Sequence, residues 1–275
     1  MDSHLIAHRE GKTVYFTFSL LDRVNQLIHA VSTRLGGVSK GIYHSLNIGF
    51  HVGDEENNVI KNREIFCRTL GLNLSSVAAG EQVHGTHIAI VQAGDRGKGA
   101  YSWKESFPRT DALTTNVPGV SLLVVVADCP ALLFFDPAHK AVALAHTGWR
   151  GSIKGILQKT IQKMSQNFHT NPQDLLVAIS PSIGPCCYRI GKDTLKQLVT
   201  SFPANWKNFV IFKPDGSAHL DLWKLNRYQL LKMGVKHTNI EIARICTACH
   251  TDLFYSHRKE RGKTGRCGMI VSIKG

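Results

Sequence analysis

Three apolar runs in close succession constrain this chain more than any other feature. Residues 122–127, 131–135 and 141–145 are almost wholly aliphatic or aromatic, and runs of that length without polar alternation fit strands buried on both faces. Such strands need cover on each side, so the expected architecture is an α/β (α+β) sandwich, a mixed central β-sheet core covered by helices. The same region excludes a membrane span, because Asp128 and Pro130 interrupt its longest apolar stretch.

Elsewhere the pattern supplies the remaining layers. Residues 13–18 and 27–32 are β-rich and read as strands, as do 87–91, 175–179, 240–245 and 269–273. Helices are expected over 54–70, 152–168, 192–202 and 222–233. Residues 94–108 read as a long surface loop, and Gly36-Gly37 belongs to a tight turn with backbone amides available to a ligand. No repeat or low-complexity tract divides the 275 residues, so a single domain over 1–275 is expected.

Composition narrows the function classes. Hydrophobic residues at 43% and charged residues at 19% describe a folded protein, not a disordered one. A formal net charge of +13 favours anionic partners, small anions, nucleic acid and membrane surfaces alike. Aromatic residues are only 8% and do not alternate with the basic ones, which argues against a single-strand-binding platform. Seven cysteines in no paired framework, together with an N-terminal region holding His8, Arg9, Glu10 and Lys12 instead of an apolar core, point to a cytoplasmic protein.

His84, Cys129 and His146 fall at strand ends or in the adjacent turns, where ligands collect in α/β sheets. Two imidazoles and one thiolate suit zinc and leave a fourth tetrahedral position open, the mark of a catalytic site. Their separations, 45 and 17 residues, are weak evidence for a shared ion, and a buried cysteine with two hydrogen-bonded histidines is the commoner reading of such residues. His87 reads as a surface histidine. Cys246-x-x-Cys249 is half of a structural zinc site, but no second knuckle exists. Adjacent Cys186 and Cys187 would point opposite ways on an extended chain, so no second metal is expected.

Several motifs occur in order along nearly the whole chain: Ser32-Thr-Arg-Leu-Gly-Gly-Val-Ser39, Gln82-Val-His-Gly85, Ala127-Asp-Cys-Pro130, His146-Thr-Gly-Trp-Arg-Gly151, Gly184-Pro-Cys-Cys-Tyr188, Cys246-Thr247, Ser256-His-Arg258 and Thr264-Gly-Arg266. Together they resemble the YfiH/YlmD family, also labelled multicopper polyphenol oxidase or laccase domain, which includes purine nucleoside phosphorylases. The resemblance implies a zinc site at His84, Cys129 and His146, with purine nucleosides and phosphate as substrates. It further implies adenosine deamination, methylthioadenosine phosphorolysis and a fold related to cytotoxic necrotising factor catalytic domains. Thr147, Arg189 and the long basic 258–266 loop depart from the usual family pattern and bear on substrate preference.

Phosphorolysis needs cationic donors for phosphate, and arginine is the better clamp because its planar fork donates two parallel bonds. Arg34, Arg150 and Arg258 are the candidates, assisted by the Gly36 and Gly37 amides. Asp128, beside the cysteine, is expected to orient a ligand imidazole or to carry a proton. Deamination would instead use water made acidic by zinc, directed at purine C6.

Three rivals remain on the sequence. The His₂Cys set also suits copper, but the paired His-x-His and His-Cys-His signatures of a multicopper oxidase are absent. Cys129 could act as a thiolate nucleophile with His146 as base, a hydrolase of the kind that edits peptidoglycan precursors. A basic nucleic-acid-binding module without catalysis is the third. The sequence does not set the oligomeric state.

Overall fold

The computed structural model describes residues 5–275. Two six-stranded mixed sheets stack face to face, and helices cover both outer surfaces. The first sheet runs, edge to edge, Leu5–Glu10, Thr13–Phe18, Leu27–Ser32, Cys267–Ile273, Ser121–Val126 and Val77–Ala79. The second runs Ile240–Ile242, Leu176–Ile179, Ala131–Asp136, Ala141–His146, Ala112–Thr115 and Ile88–Ile90. Antiparallel pairs dominate, with the parallel pairs at the sheet margins.

The apolar runs owe their continuity to this stacking. Leu122, Val124 and Val126 of the first sheet meet Ala131, Leu133, Phe135, Val142 and Leu144 of the second in one buried cluster. The alternate residues face outward, but they too are covered. Leu123 and Val125 pack under the helix Glu56–Thr69 through Phe66 and Cys67, while Leu132, Phe134, Ala143 and Ala145 pack under Ile156–Phe168 through Ile156, Leu157, Ile161 and Met164. Each fully buried leucine, valine or phenylalanine contributes about 1.5–3 kcal/mol, so both faces of these strands are held in the interior. The core is thus shared between two sheets where the sequence suggested one central sheet, because periodicity reports that a strand is covered, not what covers it.

The helices start and stop for local reasons. Glu56 lies in the first turn of Glu56–Thr69 and Arg68 in its last, matching the helix dipole. Asp221 caps Leu222–Lys232 by accepting from the Lys224 amide at 2.9 Å. The helix expected over 152–168 is divided into Trp149–Ile153 and Ile156–Phe168 by Gly155, whose φ of +80° a helix cannot accommodate. A small three-stranded sheet, Arg189–Ile190, Ala218–Leu220 and Val210–Phe212, was not apparent from periodicity, nor were the short strands Val77–Ala79 and Ala112–Thr115. No helix among the described residues is long and apolar enough to cross a membrane.

Candidate metal centre

His84, Cys129 and His146 converge at the end of the sandwich where the chain passes from one sheet to the other. Cys129 lies in the crossing between Ser121–Val126 and Ala131–Asp136, and His84 in the crossing between Val77–Ala79 and Ile88–Ile90. His146 closes Ala141–His146, and strand pairing sets it opposite Ala131, two residues beyond Cys129. The three ligand-capable atoms lie within 4.8 Å of one another. Cys129 Sγ is 3.9 Å from His84 Nε2, and the two imidazoles meet edge to face with centroids 4.7 Å apart.

The backbone is shaped for this approach. His84 and Asp128 adopt φ of +57° and +82°, conformations that a side chain disfavours and that surrounding bonds must hold. A β-carbon on Gly148 would stand 2.9 Å from Cys129 Sγ and 3.1 Å from His84 Cδ2, so only glycine leaves the three side chains room. His87, exposed between them in sequence, instead contacts Thr110 Oγ1 through Nδ1 at 3.0 Å.

Asp111 holds the centre together. Its buried carboxylate accepts from the successive amides of Val83, His84 and Gly85, at 3.2, 2.9 and 2.6 Å, and contacts His146 Nδ1 at 2.9 Å. Burial pushes this carboxyl up, but the bonds to His146 and to the Gly85 and Val83 amides outweigh it and hold it below the usual range. With Nδ1 engaged, His146 turns Nε2 toward Gly148 and Cys129. Burial likewise raises the Cys129 thiol, yet His146 first and His84 second overcome it and bring the thiol to about 6. Burial lowers His146, but the Cys129 thiolate and Asp111 carry it to about 9.

The contact with a ligand imidazole expected of Asp128 is made instead by Asp111. Asp128 accepts from Thr247 Oγ1 at 2.6 Å and from the Arg258 amide at 2.7 Å, touching neither imidazole. Its position next to Cys129 in sequence does not bring its carboxylate to the rings, because the left-handed backbone at Asp128 turns it toward the 247–258 segment. The sequence signal for Asp111 was only an acid preceding a strand.

Of the arginines, Arg150 is exposed, stacks on Trp149 at 4.6 Å, and its guanidinium makes no hydrogen bond among the described residues. Arg258 is exposed, lies over Tyr188 at 5.2 Å and donates through Nη1 to the Arg189 carbonyl. Tyr188 feels Cys129, Arg258, Arg150 and Asp128 together, and burial pushes its hydroxyl well above the usual value. Arg266, unassigned from sequence, is drawn down by burial while Cys129 and Asp128 favour its charge. Arg34 is engaged away from this group. Its Nη1 donates to the Thr251 carbonyl and to Glu260, its Nε donates to the His44 carbonyl, and it stacks on Tyr255. The Gly36 and Gly37 amides both donate to Ser45 Oγ, at 3.1 and 3.2 Å, so they are not the anion donors their loop suggested.

Cys186, Cys187, Cys246 and Cys249 overturn the expectation that they stay apart. Their four sulfurs also lie within 4.8 Å of one another. Cys186 and Cys187 sit in a turn, not on extended chain, so neighbouring side chains reach the same side.

The sequence profile of the family described as multi-copper polyphenol oxidoreductase laccase matches residues 28–274. The chain belongs to this laccase-like YfiH/YlmD family. It is 39% identical over 243 residues to the purine nucleoside phosphorylase YlmD of Geobacillus stearothermophilus, covering 87% of each chain. The crystal structure of YlmD from that organism superposes on this YfiH/YlmD-family protein with a TM-score of 0.93 at 34% identity over 100% of both chains. The YfiH crystal structure from Bacillus licheniformis gives 0.92 at 30% identity, over 98% of this chain and 99% of the other. The mixed α/β fold of the family is therefore the fold of this protein.

Proposed function

We propose that the chain is a zinc-dependent purine nucleoside phosphorylase of the cytoplasm, with adenosine deamination and methylthioadenosine phosphorolysis as side activities of the same site. The observation that carries this reading is the convergence of His84, Cys129 and His146 within 4.8 Å, with Asp111 fixing the rear nitrogen of His146. The names borne by the relatives support the phosphorylase assignment, and seven cysteines all present as free thiols are consistent with a reducing compartment.

The donor set fits a metal. Two imidazoles and a thiol already inclined to ionise are zinc ligands by type and number, and the carboxylate behind His146 is the usual outer partner of a metal-binding imidazole. When bound, zinc supplies Lewis-acid polarisation of the substrate group at the fourth position. The chain's own residues supply the rest. In phosphorolysis the C1′–N9 bond breaks, a C1′–O bond to phosphate forms and the departing purine takes up a proton. Arg150, with its fork unengaged, and Arg258, fixed through its amide to Asp128, offer cationic donors to the phosphate. The exposed, edge-on His84 leaves one side of the centre open to the nucleoside.

A second reading follows from the low-lying Cys129 thiol beside two imidazoles: a cysteine-dependent hydrolase acting on a cell-wall precursor. Copper in place of zinc, with polyphenol oxidation, is the reading suggested by the family's name. Incubation with inosine and phosphate separates them. Hypoxanthine and ribose 1-phosphate form with the zinc-loaded protein, and both Cys129→Ala and His146→Ala abolish their formation while circular dichroism stays unchanged. Absence of product at high enzyme concentration, or full activity after zinc is removed, overturns the proposal.

A further inference from the structure

We propose that Cys186, Cys187, Cys246 and Cys249 form a second, structural metal centre, a closed tetrathiolate site for zinc. All four sulfurs lie within 4.8 Å of one another, with Cys249 Sγ 3.6 Å from Cys186 Sγ and 3.4 Å from Cys187 Sγ. Zinc–sulfur bonds of about 2.3 Å put the corners of a ZnS₄ tetrahedron about 3.8 Å apart. The observed spacings approach that edge and are far from the roughly 2.05 Å of a disulfide. Four protein ligands complete the coordination shell, which makes the site structural where the His84, Cys129 and His146 set leaves an opening.

Backbone geometry brings the two pairs together. The Cys187 and Tyr188 amides both donate to the Gly184 carbonyl, at 3.0 and 2.9 Å, curling residues 184–188 into a turn. On the other side the Cys249 and His250 amides both donate to the Cys246 carbonyl at 3.1 Å, giving the tight loop that a Cys-x-x-Cys chelate requires. A bridge between Ser182 and Cys246 docks the two segments, and the Gly184 amide donates to Cys246 Sγ at 3.2 Å. A β-carbon on Gly184 would stand 2.8 Å from Trp223 Cη2, with Cys246 Cβ at 3.2 Å and Cys186 Sγ at 3.3 Å, so glycine suits the crowded seam between the two segments. Cys186 and Cys249 are exposed, which gives an ion a direct path in.

The centre would clamp two segments about sixty residues apart in sequence, and both reach the first site. One leads from Cys187 into Tyr188, and the other runs from Cys246 through Thr247 to Arg258. Tyr188 and Arg258 stack, and Thr247 and the Arg258 amide both bind Asp128. Metal at the thiolates therefore fixes the wall that carries Arg258. Binding replaces the thiol protons, which pass to solvent, and requires no oxidant.

The test is metal stoichiometry in the full chain purified under reducing conditions. His84→Ala/Cys129→Ala retains one equivalent of zinc by plasma mass spectrometry, and after exchange with cobalt shows tetrahedral visible bands with intense sulfur-to-cobalt charge transfer. Cys186→Ser/Cys249→Ser loses that equivalent and keeps the one at the first centre. If the serine variant does not fold, the cobalt titration of His84→Ala/Cys129→Ala decides alone. A metal-free His84→Ala/Cys129→Ala protein whose four cysteines all react with a thiol reagent overturns the proposal. So does an intact mass short by the hydrogens of a disulfide among these cysteines.

Discussion

Asp111 and His146 stand opposite one another where Ala112–Thr115 pairs with Ala141–His146, and they are joined twice. The His146 amide donates to the Asp111 carbonyl at 2.8 Å, and the Asp111 carboxylate contacts His146 Nδ1 at 2.9 Å. The same carboxylate binds the three amides that shape the His84 turn. One side chain thus orients two of the three proposed metal ligands.

Replacing Asp111 by asparagine keeps the size but exchanges an anionic acceptor for a neutral amide. Zinc affinity at the His84, Cys129 and His146 site should fall roughly 10- to 100-fold, as is usual when the partner of a metal-bound imidazole is lost. Competition with a chromophoric chelator reads this directly. Unaltered affinity would mean that Asp111 serves the fold alone.

Metal-free protein should show Cys129 alkylation that is near its plateau at neutral pH and declines as pH drops through about 6. The sign follows from the direction of each shift. The thiol is lowered from 9.0, so its stabilising contribution is complete above that value and is lost as pH falls through about 6; His146 is raised from 6.5, so its contribution is complete below that value and is lost as pH rises through about 9. The thiolate–imidazolium pair consequently exists between those limits. Peptide mapping after brief iodoacetamide pulses follows Cys129 apart from the other cysteines, and His146→Ala should move its midpoint upward. A midpoint near 9 in the parent protein would refute the pairing.

Arg34 and Arg150 should behave in opposite ways. Arg34→Ala removes three donated hydrogen bonds, one of them the ion pair to Glu260, so chemical denaturation should reveal a loss of about 2–3 kcal/mol. Arg150→Ala breaks no side-chain hydrogen bond among the described residues, so stability should stay within about 0.5 kcal/mol of the parent. Its KM for phosphate should rise about tenfold, the equivalent of about 1.4 kcal/mol. A phosphate KM that responds to Arg34 and ignores Arg150 would reverse the assignment.

The sequence was most informative where a pattern is local. The strands within 121–146, the helices Glu56–Thr69 and Leu222–Lys232, and the turn positions of His84 and Cys129 follow from apolar runs, end charges and strand-end placement. It was least informative where a side chain's direction depends on a distant partner. Asp128 seemed the natural support for the imidazoles because it adjoins Cys129, yet its backbone turns it to Thr247, 119 residues away. Gly36 and Gly37 seemed free because nothing in their own segment reveals Ser45 closing on their amides.

Residue order alone determined that the strands around Cys129 are buried on both faces, since only a covered strand can be apolar at every position, and it supplied the family motifs. Tertiary structure decided the rest: the division of those strands between two sheets, the choice of Asp111 over Asp128, and the gathering of four cysteines from two turns. Strand register and turn geometry set these outcomes, because hydrogen-bond pairing between remote segments fixes where a side chain points, and one-dimensional spacing carries no record of that pairing.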